Sequence, residues 1–438
     1  MQGSLMATTG NVVVNANGDV SVADTYANQN VGLASTGKTS ISGTGLANQN
    51  YTVNAGGDIS STGSVSAGQN VSMTSGGNVI AASVASNGNS TLTASDSMTV
   101  GSVTGQTLAL HALSGDLTVN SALSAPGTIS AVAGRDLTIN GAAQGGSTVT
   151  LTAAHNATVN GSVAAVGDVS LTGATGTATT TGNVTTNGQL DVAGQQGVNL
   201  GGTVSSQGET AIASSTGSVA VNGALTTPGQ ATITAGQDVT VAGDVHTGQN
   251  ATVTAARDVT LNGALNVNGS GNASIVAGRD ITGTGDVSVA NDTTLSAGRN
   301  VAVSGAIQTG NNLSATGGQN LAIGATTAVG TETLTAATGN ATLAGNALSG
   351  GDMKVSAGTD VTAQGSTQSL GNVDLNAQHG SLTANGPVSA AGDATLNAAQ
   401  NLTLGGQTTV SHNATLTGTN ITTQGMAIGG SLAATAAN

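Results

Sequence analysis

The stretch Ala235-Gly-Gln-Asp-Val-Thr-Val-Ala-Gly243 returns 20 residues later as Ala255-Ala-Arg-Asp-Val-Thr-Leu-Asn-Gly263. The same text appears as Ala133-Gly-Arg-Asp-Leu-Thr-Ile-Asn-Gly141 and Ala297-Gly-Arg-Asn-Val-Ala-Val-Ser-Gly305. With its Asp or Asn as anchor, the phase recurs at Asp58, Asn78, Asp116, Asp136, Asn156, Asp238, Asp258, Asp280, Asn300, Asn320, Asn340, Asp360, Asn401 and Asn420. Degenerate copies fall at Lys38, Ser97, Thr177, Gly197, Ser218 and Ser381, most of them followed by Gly five residues on. The steps from Lys38 to Asn420 stay between 19 and 22 residues, and a period of about 20 is that of a solenoid. An irregular first copy is read at Asn11. The chain therefore divides into residues 1–37, irregular first coils, and residues 38–438, regular repeats expected to be an internal piece of a longer array.

Within each unit, aliphatic residues alternate with Thr, Ser or Asn, as in Val239-Thr-Val241 and Thr252-Val-Thr254. Alternation with period two marks a half-buried strand, and no 3.6-residue period competes with it. Gly, Asn and Asp separate the runs, and Pro126-Gly127 and Pro228-Gly229 suit turns at matching phases. Two or three such short strands cannot form a sheet alone, but they close a coil whose copies pair with it above and below. The expected fold is all-β, a parallel β-helix of about 20-residue coils; about 21 of them at strand spacing give a rod on the order of 100 Å.

Composition agrees with a thin interior. The chain has no Phe, Trp or Cys and two tyrosines, Tyr26 and Tyr51; side chains this small cannot fill a thick core at native density. Collagen is excluded by the presence of only three prolines, and disorder by the abundance of β-branched residues. The net charge of −14, from 20 acidic and 6 basic residues spread along the chain, offers no basic cluster for nucleic acid or anionic lipid. There is no apolar window of about 18 residues to span a bilayer, and Met1 to Gly10 lacks the basic and apolar regions of a secretory leader, so an exported protein is expected to contain this chain as an internal piece. The lack of Cys fits passage through an oxidising compartment.

The candidate site is a turn ladder made of Arg135, Asp136, Asp238, Arg257, Asp258, Arg279, Asp280, Arg299 and Asn300. Acidic side chains stacked one coil apart repel, and an Arg beside each relieves the repulsion; the role expected is structural. A calcium column of the nonapeptide kind needs Gly-Gly-x-Gly-x-Asp, which is absent, and Asn replaces Asp too freely for a charged cage. His111, His155, His246, His379 and His412 lie too far apart in phase to converge on a zinc ion or a triad. Glu209 and Glu332 are the only glutamates, and without aromatic sugar platforms a β-helical lyase, hydrolase or tailspike-like protein has little to work with. Outward Thr-x-Thr pairs such as Thr148-Val-Thr150, Thr232-Ile-Thr234 and Thr333-Leu-Thr335 suggest an ice-binding face, but Ser274, Ser314, Lys354 and Asp374 break the column. No enzyme, cofactor or metal is expected; the carbohydrate-active enzyme or tailspike and the ice-binding solenoid stand as alternatives.

The repeats "AGRDLTING", "AARDVTLNG", "AGQDVTVAG" and "AGRNVAVSG", preceded by runs such as "ATVTA" and "TTLSA", resemble those of filamentous haemagglutinin-like exoproteins, the two-partner secretion adhesins and contact-dependent inhibition proteins. The resemblance covers Gly10 to Gly425. It implies a right-handed coil, which the general right-handedness of parallel crossovers also favours. It further implies a structural and adhesive rod, secreted to the surface of a Gram-negative bacterium through an outer-membrane barrel transporter, which reads a region not present here. The remaining partner implied is a receptor or glycan on a host or neighbouring cell.

Overall fold

The computed structural model describes residues 3–436, and among them every regular element is a β-strand. Parallel strands stacked about 20 residues apart form a β-solenoid of about 22 turns. Contacts divide the chain into two compact units, Met1–Gly217 and Ser218–Asn438, and both are built from one kind of coil.

That coil has three strands, two of three residues and one of five. In the second unit the pattern is clear at Val239–Val241, Val245–Thr247 and Ala251–Ala255, and again at Val259–Leu261, Leu265–Val267 and Ala273–Ala277. Each strand pairs in parallel with its own copy in the next coil: Val239 with Val259, Val245 with Leu265, Ala251 with Ala273. The backbone groups flanking a strand reach both neighbours, as where Val239 N donates to Asp258 O and Ala242 N to Val221 O. Every coil thus satisfies its peptides through the coils on either side, which is why a single coil has no stability of its own.

Because strand side chains alternate in direction, Val239, Val241, Val245, Ala251, Val253 and Ala255 are all buried, while Thr240, His246, Thr252 and Thr254 between them are partly exposed. The interior is a bundle of columns. One runs Val221, Val241, Leu261, Gly283, Val303, Ile323, with Gly283 standing where its neighbours are aliphatic. Spacings other than 20 are absorbed in turns: the 22-residue step from Asp258 to Asp280 is taken up at Asn268–Gly271, where Gly269 has φ +67°, the left-handed region open to glycine.

In the first unit pairing begins with Leu5 against Thr25 and Val12 against Val31. From Ile59 to Thr104 the corner between the two short strands flattens, so that Ile59–Ala67, Val79–Ser86 and Met98–Thr104 each run continuously over two faces. The widest interior residue, Tyr51, sits in a column between Val31 and Val71. It is accommodated by Gly45, where an added Cβ would lie 2.7 Å from the Tyr51 ring and hydroxyl. The Tyr51 hydroxyl shares a 2.6 Å hydrogen bond with the buried Thr25 Oγ1, and burial pushes its pKa up to about 12. Elsewhere several inward Ser and Thr near strand ends bond turn carbonyls, as Ser75 Oγ to Gly57 O at 2.7 Å and Ser206 Oγ to Gly208 O at 3.1 Å, although the Oγ1 atoms of Thr293, Thr367 and Thr408 have no partner. Such bonds let a polar group stand inside at little cost.

Candidate functional site: the turn ladders and an interior carboxyl

Most of the anchor residues read from the sequence form a ladder within each unit, interrupted in the first at Lys38 and Gly197, which carry no side-chain oxygen. A side-chain oxygen of one anchor accepts the backbone N–H of the anchor one coil on. In the first unit Asp58 Oδ1 accepts from Asn78 N at 2.9 Å, Asn78 from Ser97, Ser97 Oγ from Asp116, Asp116 from Asp136, and Asp136 from Asn156. In the second the ladder starts at Ser218, whose Oγ accepts from Asp238 N, and the accepting side chains continue through Asp238, Asp258, Asp280, Asn300, Asn320, Asn340, Asp360 and Ser381 to the backbone N–H of Asn401. The requirement is an oxygen one bond from Cβ or Cγ, which Asp, Asn and Ser all supply; their free exchange at this phase follows. Asn adds a second rung through its amide, as Asn300 Nδ2 to Asp280 Oδ1 at 2.8 Å.

One reading of the first coils needs correction. Lys38 N donates to Asp19 Oδ1 at 2.7 Å, so Asp19 is the anchor before Lys38. Asn11, taken as that copy, belongs to a different ladder, where its Oδ1 accepts from Asn30 N at 2.9 Å.

The arginines behave differently from a side chain relieving its own neighbour. Each reaches back to the carboxylate of the preceding coil with two parallel bonds: Arg257 to Asp238 at 3.0 and 2.6 Å, Arg279 to Asp258 at 3.2 and 2.8 Å. Arg299 grips Asp280 and Arg135 grips Asp116 in the same way. The Arg299 guanidinium beside Asp280 holds its carboxyl below the usual range, and Arg135 does the same for Asp116. Lys38 works in the other direction, onto Asp58 at 2.8 Å; with the Asn78 N–H it brings that carboxyl down to about 2. At Asp136 the partners are Asn156 and His155, whose Nδ1 lies 2.9 Å away, while its adjacent Arg135 is at 3.7 Å. Asp238, Asp258, Asp280 and Asn300 are thus brought into one column with Arg257, Arg279 and Arg299 in register beside it. Every charge in it is matched, and the guanidinium side chains are about half exposed, so each pair is worth about 0–1 kcal/mol.

Two further ladders escaped the sequence reading. The turn between the second and third strands carries Asn11, Asn30, Asn50, Asn70 and Asn89 in the first unit, and Asn250, Asn272, Asp292 and Asn312, then Asp352, Asn372, Asp393 and Asn413, in the second. The turn between the first and second strands has a shorter version, in which Asp24 Oδ1 accepts from Thr44 N, Asp244 from Ala264 and Asp286 from Ala306, all at 2.8 Å. The signal was present: Asn or Asp recurs at these phases too, without the flanking Val-Thr-Val text that made the first ladder visible.

Of the histidines, His155 and His379 bond within turns, His379 Nδ1 lying 2.9 Å from Gly358 O, and His111 and His246 stand on outward strand positions. Among the described residues no three His, Cys, Asp or Glu side chains come together as a metal-binding group, and no helix is long and apolar enough to cross a membrane. The outward column of the long strand runs Thr232, Thr252, Ser274, Thr294, Ser314, Thr333, then Lys354 and Asp374. The ion pair across the last two, at 3.8 Å, interrupts the hydroxyl array, which resumes at Thr395 and Thr415.

Glu209 is exposed, but Glu332 lies fully inside. It occupies the first inward position of its strand, Glu332–Ala336, between Leu313 and Met353 of the adjoining coils. Its Oε1 accepts a 2.6 Å bond from Thr326 Oγ1, and its Oε2 has no partner. Burial drives its pKa up to about 7, against the smaller opposing pull of Thr326. No known protein family matches the chain, and neither a curated protein nor a solved structure does.

Proposed function

We propose that this chain is part of the shaft of a secreted bacterial surface adhesin of the filamentous haemagglutinin kind, a passive stack of coils with no catalytic centre. Supporting this reading above all is the constancy of the coil. Anchor spacing stays within 19 to 22 residues from Lys38 to Asn420, and the extra residues of the longest step form only the turn at Asn268–Gly271. A lyase or tailspike cleft on stacked coils calls for long loops gathered on one face and for converging carboxylates. The turns here instead spend their Asp and Asn oxygens on the next coil's N–H groups.

Export suits the same chemistry. A chain without Cys, whose coils contact only their neighbours, can pass a barrel transporter unfolded and stack coil by coil as it emerges. The partners in this reading are that outer-membrane barrel and a receptor or glycan on a host or neighbouring cell, and the place is the surface of a Gram-negative bacterium.

The test is to purify residues 1–438, record small-angle scattering, and incubate the protein with a panel of neutral and acidic polysaccharides. A strongly elongated profile and no new sugar ends agree with a shaft. A compact profile, or saccharide release with turnover, would overturn it.

A further inference from the structure

A carboxyl inside a stack of aliphatic columns needs a reason. Glu332 has one donor, Thr326, for four lone-pair sites, and its Oε2 is unpaired. No positive charge is available to it. On the strands and turns packed against its own, the charged groups are Lys354, exposed on the outer face opposite Asp374, and Asp352, exposed in the turn with Oδ1 on Asn372 N. Strands Leu313–Gly317, Leu321–Ile323, Thr326–Ala328 and Ala341–Leu343 carry none. In its neutral form the group costs what one unpaired polar hydrogen costs; ionised, it is an uncompensated charge in a dry channel.

We propose that Glu332 makes the coils around it, residues 313–357, a pH-sensitive weak point that is closed when the carboxyl is protonated and loosens when the proton leaves to solvent. The direction is fixed by linkage. An unfolded carboxyl titrates near 4.5 and the folded one near 7, so the folded state holds the proton more tightly. The penalty is absent below about pH 4.5, grows as pH rises between the two values, and is complete above the folded value. Opening of this stretch therefore rises by up to tenfold per pH unit across that window. This stretch tightens in acid, opposite in sign to the effect of Asp58, Asp116 and Asp280, whose carboxyls are held low by their cationic partners.

The composition makes the test direct, since Glu209 and Glu332 are the only glutamates. Labelling glutamate at the side-chain carboxyl carbon gives two resonances, one of which, lost in Glu332→Gln, is expected to titrate near neutrality. Hydrogen exchange of peptides covering residues 321–357, corrected for intrinsic rates, is expected to show falling protection between pH 5 and 7 in the wild type. Glu332→Leu, which matches Leu313 in its column, should show no such fall. If both resonances finish titrating below pH 5, or if protection falls equally in wild type and Glu332→Leu, the proposal is overturned.

Discussion

Val241 and Thr240 are adjacent in sequence and opposite in environment. Val241 is 1% exposed and stacked between Val221 and Leu261, whereas Thr240 faces outward between Ala220 and Thr260. Replacing Val241 by Asp removes an aliphatic group worth about 2 kcal/mol of burial. It also puts a carboxyl into the same kind of interior that raises Glu332 from 4.5 to about 7, a further cost of about 3 kcal/mol at neutral pH. The total is about 5 kcal/mol, concentrated on one coil and its two neighbours, since nothing farther along the stack touches it. Thr240→Asp keeps its carboxyl in water and forfeits only strand propensity, about 1 kcal/mol or less. Limited proteolysis with fragments mapped by mass reads the difference: cleavage between residues 238 and 261 in Val241→Asp, and an intact chain in Thr240→Asp. Equal sensitivity of the two, or the reverse order, would refute the assignment of inside and outside.

Gly45→Ala should lower the melting temperature by an overpacking cost of about 1–3 kcal/mol, because its methyl would meet the Tyr51 ring; pairing it with Tyr51→Val, the residue type at Val31 and Val71 in that column, should restore most of the loss. Arg279→Ala breaks two bonds to Asp258 but should cost about 1 kcal/mol or less, because the pair is exposed and screened; calorimetry checks this, and loss of cell binding at unchanged melting would reveal a binding stripe instead. Asp116 and Asp280, held below the usual carboxylate range by Arg135 and Arg299, and Asp58, brought to about 2 chiefly by Lys38, contribute stability that is full above about pH 4 and is lost as pH falls through their folded values. Chemical denaturation should therefore show a decline confined to strongly acid solution, and a protein equally stable at pH 2 and pH 5 would contradict these ladders.

The legibility of the fold came from repetition. A period near 20 with alternating Val and Thr leaves one way to bury the aliphatic residues, and the anchor phase fixed which residues stack: Val241 on Leu261, Asp238 beneath Asp258. The glutamate was just as readable in principle, since Glu332 shares its phase with Leu313 and Met353, yet charge alone suggested nothing about burial. Some features depended on depth and direction rather than phase. That each Arg sends its paired hydrogen bonds to the carboxylate of the coil before it, with the adjacent Asp136 only a longer contact of Arg135, is set by the stacking of coils about 4.8 Å apart. That Asn11 and Asp19 belong to different ladders follows from which turn each one caps.

Sequence alone determined the parallel coil, its length and its inward columns, because period-two alternation and a fixed repeat are local properties that every coil states again. Tertiary structure decided the number of strands per coil, the three ladders of side-chain oxygen to backbone N–H, the fit of Tyr51 over Gly45 and the isolation of Glu332. The ladders depend on what stands one coil above or below, 19 to 22 residues away in the chain but in direct contact in space, while Gly45 meets Tyr51 and Thr326 meets Glu332 across the interior of a single coil, six residues apart; neither kind of neighbour exists until the coils have closed and stacked.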